Sequence, residues 1–167
     1  MKLKRNLEKA LNQQVNQEMS AAYAYLAASA WFESENLSGF AHWMEIQRQE
    51  ELGHAQRLID YLHDRGGKLD LEAVAKPTSD FQTIMAVFQE ALTSEENNTR
   101  SIHDLYQLSV EENDYATQSF LKWFIDEQVE EESTMHDMIS TLEHAGDDRS
   151  ALLVLNEQVG KRTPEEV

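Results

Sequence analysis

Proline occurs at only two positions in this chain of 167 residues, Pro77 and Pro164. Residues 1–76 and 78–163 therefore lack the residue that most strongly breaks helices. Both stretches are rich in Ala, Leu, Glu, Gln and Met, which favour helix, and clusters of β-branched residues are scarce. The sequence thus predicts an all-α fold.

Glycines and short polar runs divide these stretches into five helical segments. The first is expected at about residues 7–35, the second at 38–64, and the third from just after Ser79 to about 111. A fourth is expected from about 114 to 145, and a short fifth at about 150–159. The spacing of Ser79 and Gln82 matches a capping box, and Asp147 or Asp148 can cap the fifth helix. At 19.2 kDa, residues 1–167 are expected to form a single domain.

The lengths of the connections predict the topology. About three residues join the first helix to the second and the third to the fourth, so each pair is expected to be an antiparallel hairpin. The fourteen residues 66–79 span about 46 Å when extended, and the second helix is about 40 Å long. This connection can therefore run the length of the bundle, which predicts a four-helix bundle with one long crossover between parallel helices two and three.

Charge and composition exclude several classes of function. The formal net charge is −17, and such a surface repels nucleic-acid phosphates and anionic lipid headgroups and attracts cations. The absence of cysteine excludes disulfide scaffolds, thiolate zinc sites and iron–sulfur clusters. No apolar run is long enough for a membrane span, and no signal peptide is evident. We therefore expect a soluble, cytoplasmic protein that binds neither nucleic acid nor membranes.

Acidic residues interrupt the apolar stripe of every long helix near its middle. Steps of three and four residues along the four helices place Glu18, Glu51, Glu95 and Glu131 on the stripes that should face the core. His54 lies one turn after Glu51 on the same face. In the predicted bundle these five side chains come to one level.

Four buried carboxylates are costly unless they are paired or bind a metal. The stripes offer no Lys or Arg nearby, so a salt-bridge network cannot balance them. Oxygen ligands with an imidazole suit divalent metals such as iron, manganese or zinc, and two dications would balance four carboxylates. Gln128 is expected beside the site as a hydrogen-bonding group, because a neutral amide is a weak metal ligand.

This pattern resembles the ferroxidase centre of non-haem bacterial-type ferritins over essentially the whole chain. The matching residues are Glu18 and Tyr25, Glu51-x-x-His54, Glu95, and Gln128-x-x-Glu131. The resemblance implies a di-iron centre, with one iron held by Glu18, Glu51, His54 and Glu95. The second iron would take Glu51, Glu95 and Glu131, with Gln128 beside it and Glu51 bridging.

The resemblance also implies a third iron site, for which Glu50, Glu127 and Glu130 match the acids, together with Glu131. Tyr25 and Trp123 match aromatic residues that the family places near the centre. No haem is expected, because the bacterioferritin haem ligand is a methionine where this chain has Leu52. The fourth helix also lacks the Glu-x-x-His repeat of bacterioferritins.

The function implied is that of an iron-storage and detoxification ferritin. It would oxidise Fe(II) with O₂ or H₂O₂ and deposit ferric mineral inside a homo-oligomeric shell of 24 subunits, with the fifth helix at the four-fold axis. Two alternatives remain at this stage. One is a di-iron peroxidase or oxygenase on the same fold, and the other is a non-catalytic acidic helical bundle that acts as an interaction protein and binds no metal.

Overall fold

The computed structural model describes residues 2–164 of the chain. In this part five α-helices and no strands are present, which confirms the all-α prediction. They are α1 (Arg5–Ser34), α2 (Ser38–Asp64), α3 (Ile84–Glu111), α4 (Tyr115–Ala145) and α5 (Arg149–Val159). The expectation of one domain over 1–167 includes Met1 and residues 165–167, which lie outside the described residues. None of the helices among residues 2–164 carries the long apolar stretch that a membrane crossing needs.

Two loops of three residues close the helical hairpins in the same way. Asn36 follows the end of α1 and has φ 61°, and Asn113 follows the end of α3 and has φ 54°. Both values lie in the left-handed region, which asparagine tolerates. In both loops the next residue's N–H returns to the helix, from Leu37 to Phe32 O and from Asp114 to Ser109 O, each at 2.9 Å. The predicted hairpins are therefore present.

Contacts between the hairpins fix the direction of all four helices. Along α1, Gln14 meets Ser101 of α3 and Phe32 meets Phe88, so α1 and α3 are antiparallel. Because α1 is also antiparallel to α2, helices α2 and α3 run parallel. The structure therefore has the long crossover that the loop lengths predicted, and it spans the residues between Asp64 and Ile84.

The third helix begins later than its sequence predicts. The capping box at Ser79 is not used. Thr83 caps the helix instead, and its hydroxyl accepts a hydrogen bond from Ala86 N at 3.1 Å. Residues before Thr83 stay non-helical, and Phe81 packs edge-on against Trp31 of α1 with ring centroids 5.7 Å apart. Tertiary packing of an aromatic ring thus overrides a local capping signal.

The crossover is held along α1 by one row of polar side chains. Glu8, Asn12 and Asn16 bond to backbone groups of Lys68, Asp70 and Glu72 at 2.7–3.2 Å. Four residues of helix rise about 6 Å, and two extended residues span about 6.6 Å, so the two chains stay in register. This row replaces the backbone partners that an extended segment would find in a sheet.

The short fifth helix completes the start of α2. Leu37, at the N-cap of α2, makes no side-chain cap bond. The Asn156 side chain of α5 accepts from Gly39 N at 3.0 Å and from Phe40 N at 3.1 Å. The close approach needs a glycine, since a Cβ at position 39 would lie 1.7 Å from Asn156 O. A residue 117 positions away in sequence therefore caps α2.

The core consists of two apolar clusters on either side of a polar level. One contains Phe32, Phe40, Met44, Phe88 and Met135, among others. The second is built around Leu7, Leu11, Leu58, Ile102 and Leu121. Between them lie nine buried polar side chains: Gln14, Glu18, Gln47, Glu51, His54, Glu95, Asn98, Gln128 and Glu131.

We expect Asn12→Ala to loosen the crossover from α1. The substitution leaves Lys68 O and Asp70 N without their side-chain partner, at a cost of about 1–3 kcal/mol. Hydrogen exchange at Asp70 N should accelerate, with little change in α3 and α4. Gln13→Ala, at an exposed neighbouring position, serves as the control; equal exchange at Asp70 in the two variants would contradict this account.

Candidate metal centre

Four glutamates of the polar level are almost completely removed from solvent. Glu18 and Glu51 are 0% exposed, Glu95 is 1% and Glu131 is 5% exposed. Each comes from a different helix, α1 to α4 in order, and each lies near the middle of its helix. On α3 the neighbours Ser94 and Glu96 are half-buried and exposed, so Glu95 is the residue of this acidic run that faces the core.

Glu51 and His54 form the centre of this level. His54 Nδ1 lies 3.5 Å from Glu51 Oε2 and 4.0 Å from Glu18 Oε2. Within residues 2–164, both carboxylate oxygens of Glu51 and both ring nitrogens of His54 are buried and lack a hydrogen-bond partner. Four such atoms are exceptional in a folded core, and all four belong to metal-ligating groups.

Side-chain amides and a phenol hold the other three carboxylates. Gln14 donates to Glu18 at 2.7 Å, and Gln47 donates to Glu131 at 2.9 Å. Tyr25 Oη donates to Glu95 Oε1. These bonds fix the orientation of each carboxylate and leave part of its lone-pair capacity for another partner.

Two groups of side chains at this level have the geometry to hold a metal ion. Glu18, Glu51 and His54 offer ligand atoms that all lie within 4.8 Å of one another. His54, Glu127 and Glu131 form a second such group, in which His54 Nε2 lies 3.9 Å from Glu127 Oε1. The structure thus brings Glu127, a residue expected at a third site, close to His54.

Burial raises the pKa of the acidic groups at the centre. It raises the pKa of Glu95 to about 7, against the opposing hydrogen bond from Tyr25. It raises the pKa of Glu131 to about 8, and the neighbouring Glu95 adds to this. Burial, with Glu95 and Glu18 nearby, also raises the pKa of Glu51 well above 4.5. Buried carboxyls with raised pKa values are typical of functional sites.

Gln128 lies beside Glu95. Its Nε2 donates to Thr99 Oγ1 at 3.1 Å and lies 3.4 Å from Glu95 Oε2.

Burial also lowers the pKa of His54, so the imidazole is neutral at pH 7 and has a lone pair for a metal. The aromatic Trp123 packs edge-on against His54 with ring centroids 5.4 Å apart.

The acids expected at the third iron site share one surface pocket. Its lining consists of Glu50, Glu127, Glu130, Glu131, Thr134 and Arg162. Glu50 is buried and Glu130 is exposed, so the pocket leads from the polar level to the surface. The sequence argument considered only the helical stripes, and it did not bring Arg162 to these acids.

Several residues that support the centre had no role in the sequence analysis. Asn98 donates to Glu18 Oε2 at 3.1 Å and accepts from Gln14 at 2.6 Å, which links α1 to α3. Gln47 reaches Glu131 across the bundle. Gln47 lies four residues before Glu51 and Asn98 lies three residues after Glu95, so both stand on the apolar stripes. A buried amide is unusual there, and this signal could have identified them.

Comparison with known proteins finds relatives over nearly the whole chain. The family model for the ferritin-like domain matches residues 8–145. The bacterial non-heme ferritin of Staphylococcus aureus strain USA300 is 42% identical over 164 residues, covering 98% of this chain and 99% of the relative. That of Staphylococcus haemolyticus is 37% identical over the same shares of both chains.

Solved structures show the same architecture. An open-pore ferritin from the hyperthermophilic archaeon Archaeoglobus fulgidus has a TM-score of 0.95 at 39% identity, covering 96% of this chain and 99% of the other. A humanized archaeal ferritin has a TM-score of 0.97 at 38% identity, covering 98% and 99%. With a domain match over most of its length and relatives above 40% identity, this chain belongs to the ferritin family.

Proposed function

We propose that this protein stores and detoxifies iron by oxidising Fe(II) at a di-iron centre within each subunit. The single observation that carries the proposal is the group of four buried ligand atoms of Glu51 and His54, which lack hydrogen-bond partners in the described chain. Its ferritin relatives support iron as the metal.

The first iron would be held by Glu18, Glu51 and His54, whose ligand atoms already lie within 4.8 Å of one another. Glu95 and Glu131 would complete the centre for the second iron, with Glu51 between the two metals and Gln128 beside Glu95. Their raised pKa values favour this assignment, because a carboxylate that is costly in the metal-free state gains most from a bound cation.

Each Fe(II) gives up one electron at this centre. A pair supplies the two electrons that, with two protons, reduce O₂ to H₂O₂, or H₂O₂ to two molecules of water. The carboxylates contribute by holding both irons at one level and by stabilising the higher charge of Fe(III). Tyr25, buried and bonded to Glu95, holds that carboxylate in place beside the metals. No side chain needs to act as a nucleophile.

Fe(III) would leave through the pocket of Glu50, Glu127 and Glu130, where a third iron site is proposed. It would then be deposited as mineral inside a shell of 24 subunits in the cytoplasm. Leu153 and Val154 on α5 are 60% and 57% exposed. Two large apolar side chains on one exposed helix favour burial against other subunits.

Substitution of the central ligands tests the proposed oxidation. We expect His54→Ala and Glu51→Ala to slow Fe(II) oxidation by about 100-fold or more, because loss of a ligand exceeds the usual 10–100-fold effect of a supporting residue. Stopped-flow absorbance after mixing Fe(II) with O₂ measures the rate. His63→Ala, an exposed histidine on the same helix, is the matched control, and normal rates in the two ligand variants would refute the proposal.

Metal-free protein is expected to lose stability as pH rises from about 5 to 8. In this range Glu95 and Glu131, with pKa values of about 7 and 8, keep protons that the unfolded chain has released. The native state therefore binds more protons, and the free energy of unfolding falls with pH. Bound metal replaces those protons, so the stabilisation by metal should increase over the same range.

Thermal unfolding of metal-free protein, with and without Zn²⁺, measures this dependence. Glu51→Gln should raise the melting temperature of the metal-free protein at pH 8 and reduce the stabilisation by Zn²⁺. Glu96→Gln, at an exposed position on α3, should change neither. A melting temperature of metal-free wild type that rises steadily from pH 5 to 8 would show that these carboxyls are not strained by burial.

The shell depends on the apolar face of α5. We expect the double substitution of Leu153 and Val154 by Glu to prevent assembly, because it places two charges in a contact that needs apolar burial. Light scattering coupled to size exclusion measures the mass. Glu157→Gln, in which an 80% exposed side chain is changed, serves as the control. A variant of unchanged mass would exclude this face from the assembly.

A further inference from the structure

Arg162 reaches the acidic pocket although it lies after α5, far in sequence from every other residue there. The chain from α5 to Arg162 is held against α2 at two points. Asn156 caps the start of α2, and His42 of α2 bonds to the backbone oxygen of Arg162 at 2.9 Å. The chain after α5 therefore runs beside α2.

The guanidinium of Arg162 makes three different contacts on α2. Its carbon lies 4.7 Å from the centroid of the Trp43 ring, Nη1 donates to Gln47 Oε1, and Nη2 donates to Glu50 Oε2 at 2.8 Å. The Arg162 side chain is only 19% exposed and Glu50 is 5% exposed. A planar fork held by a ring, an amide and a carboxylate is a specific arrangement, which a lysine could not reproduce.

Through Gln47, the contact extends to the metal centre. Because Arg162 donates to the amide oxygen of Gln47, the amide nitrogen must face Glu131, to which it donates at 2.9 Å. Without Arg162 the amide could rotate and turn its oxygen toward the Glu131 carboxylate. Arg162 thus determines which end of Gln47 meets Glu131.

We propose that Arg162 is a tethered cation of the pocket formed by Glu50, Glu127, Glu130 and Glu131, which competes with a third metal ion for Glu50 and positions Glu131 through Gln47. The inference rests on the proposed function, since it assigns how the third site of that centre is controlled. A guanidinium and a metal ion are both positive, and they repel each other when they share a carboxylate.

The competition follows from the contacts on the two sides of the pocket. Glu50 accepts a hydrogen bond from the guanidinium through Oε2 and also lines the pocket with the exposed Glu130. A metal ion that recruits Oε2 of Glu50 must replace the Arg162 bond. Arg162 can give up that bond at modest cost, because the Trp43 ring and Gln47 still retain the guanidinium.

Calorimetric titration of the metal-free assembled protein with Zn²⁺ tests the proposal, because Zn²⁺ is not oxidised. In Arg162→Gln we expect the third Zn²⁺ per subunit to bind about tenfold more tightly, since a repelling charge is lost. The second Zn²⁺ should bind at least about threefold more weakly, because Glu131 loses the hydrogen bond that Arg162 orients through Gln47. Loss of structure alone would weaken all sites together, so shifts in opposite directions identify the positioning role.

Two variants and one further measurement complete the test. Arg162→Lys keeps the charge and should bind the third ion with an affinity between those of wild type and Arg162→Gln. Lys161→Gln removes the charge of the adjacent lysine, whose side chain is 73% exposed. This variant should bind the second and third Zn²⁺ with the affinities of wild type. A crystal structure of wild type loaded with Zn²⁺ should show Arg162 Nη2 withdrawn from Glu50, whether or not the variants fold.

The outcomes separate this proposal from the proposed function. A third Zn²⁺ that binds equally or more weakly in Arg162→Gln, the absence of any third ion in both proteins, or an Arg162–Glu50 bond kept in the loaded crystal would overturn the role of Arg162. Wild type that binds Zn²⁺ as expected but does not oxidise Fe(II) would overturn the proposed function and leave the competition standing.

Discussion

The structure is organised by carboxyl groups that are buried in the middle of an apolar bundle. Glu51 is fully buried between two hydrophobic clusters, and within the described chain neither of its oxygens finds a hydrogen bond. Burial of this kind disfavours the metal-free folded state. This burial costs stability at one level of the core, which a bound cation would restore under the proposed function. Under the proposed function, metal binding and folding are coupled through the same few atoms.

The remainder of the fold keeps those atoms at one level. Each apolar cluster packs all four helices above or below the polar side chains, so no helix can slide without disturbing both clusters. The amides of Gln14, Gln47 and Asn98 then set the rotation of individual carboxylates. Apolar packing thus fixes the height of the ligands, and polar contacts fix their direction.

Much of the centre could be predicted from sequence because it depends on helical periodicity. Steps of three and four residues placed Glu18, Glu51 and Glu95 on inward faces, and loop lengths gave the crossover. The predicted start of α3 was wrong. Thr83 and not Ser79 caps the helix, because Phe81 between them packs against Trp31 and stays non-helical. Arg162 could not be placed, because no period relates a residue after α5 to the middle of α2. Which carboxylates bind which iron stays a prediction.

The capping of α2 by Asn156 has a consequence for how the molecule is made. Asn156 and Arg162 leave the ribosome after all four long helices have been synthesised, since translation runs from the N-terminus. Until then the N–H groups of Gly39 and Phe40 lack their acceptor and the amide of Gln47 lacks its orientation. Until residues 156–162 have been synthesised, the four long helices therefore lack both the cap on α2 and the contact that orients Gln47.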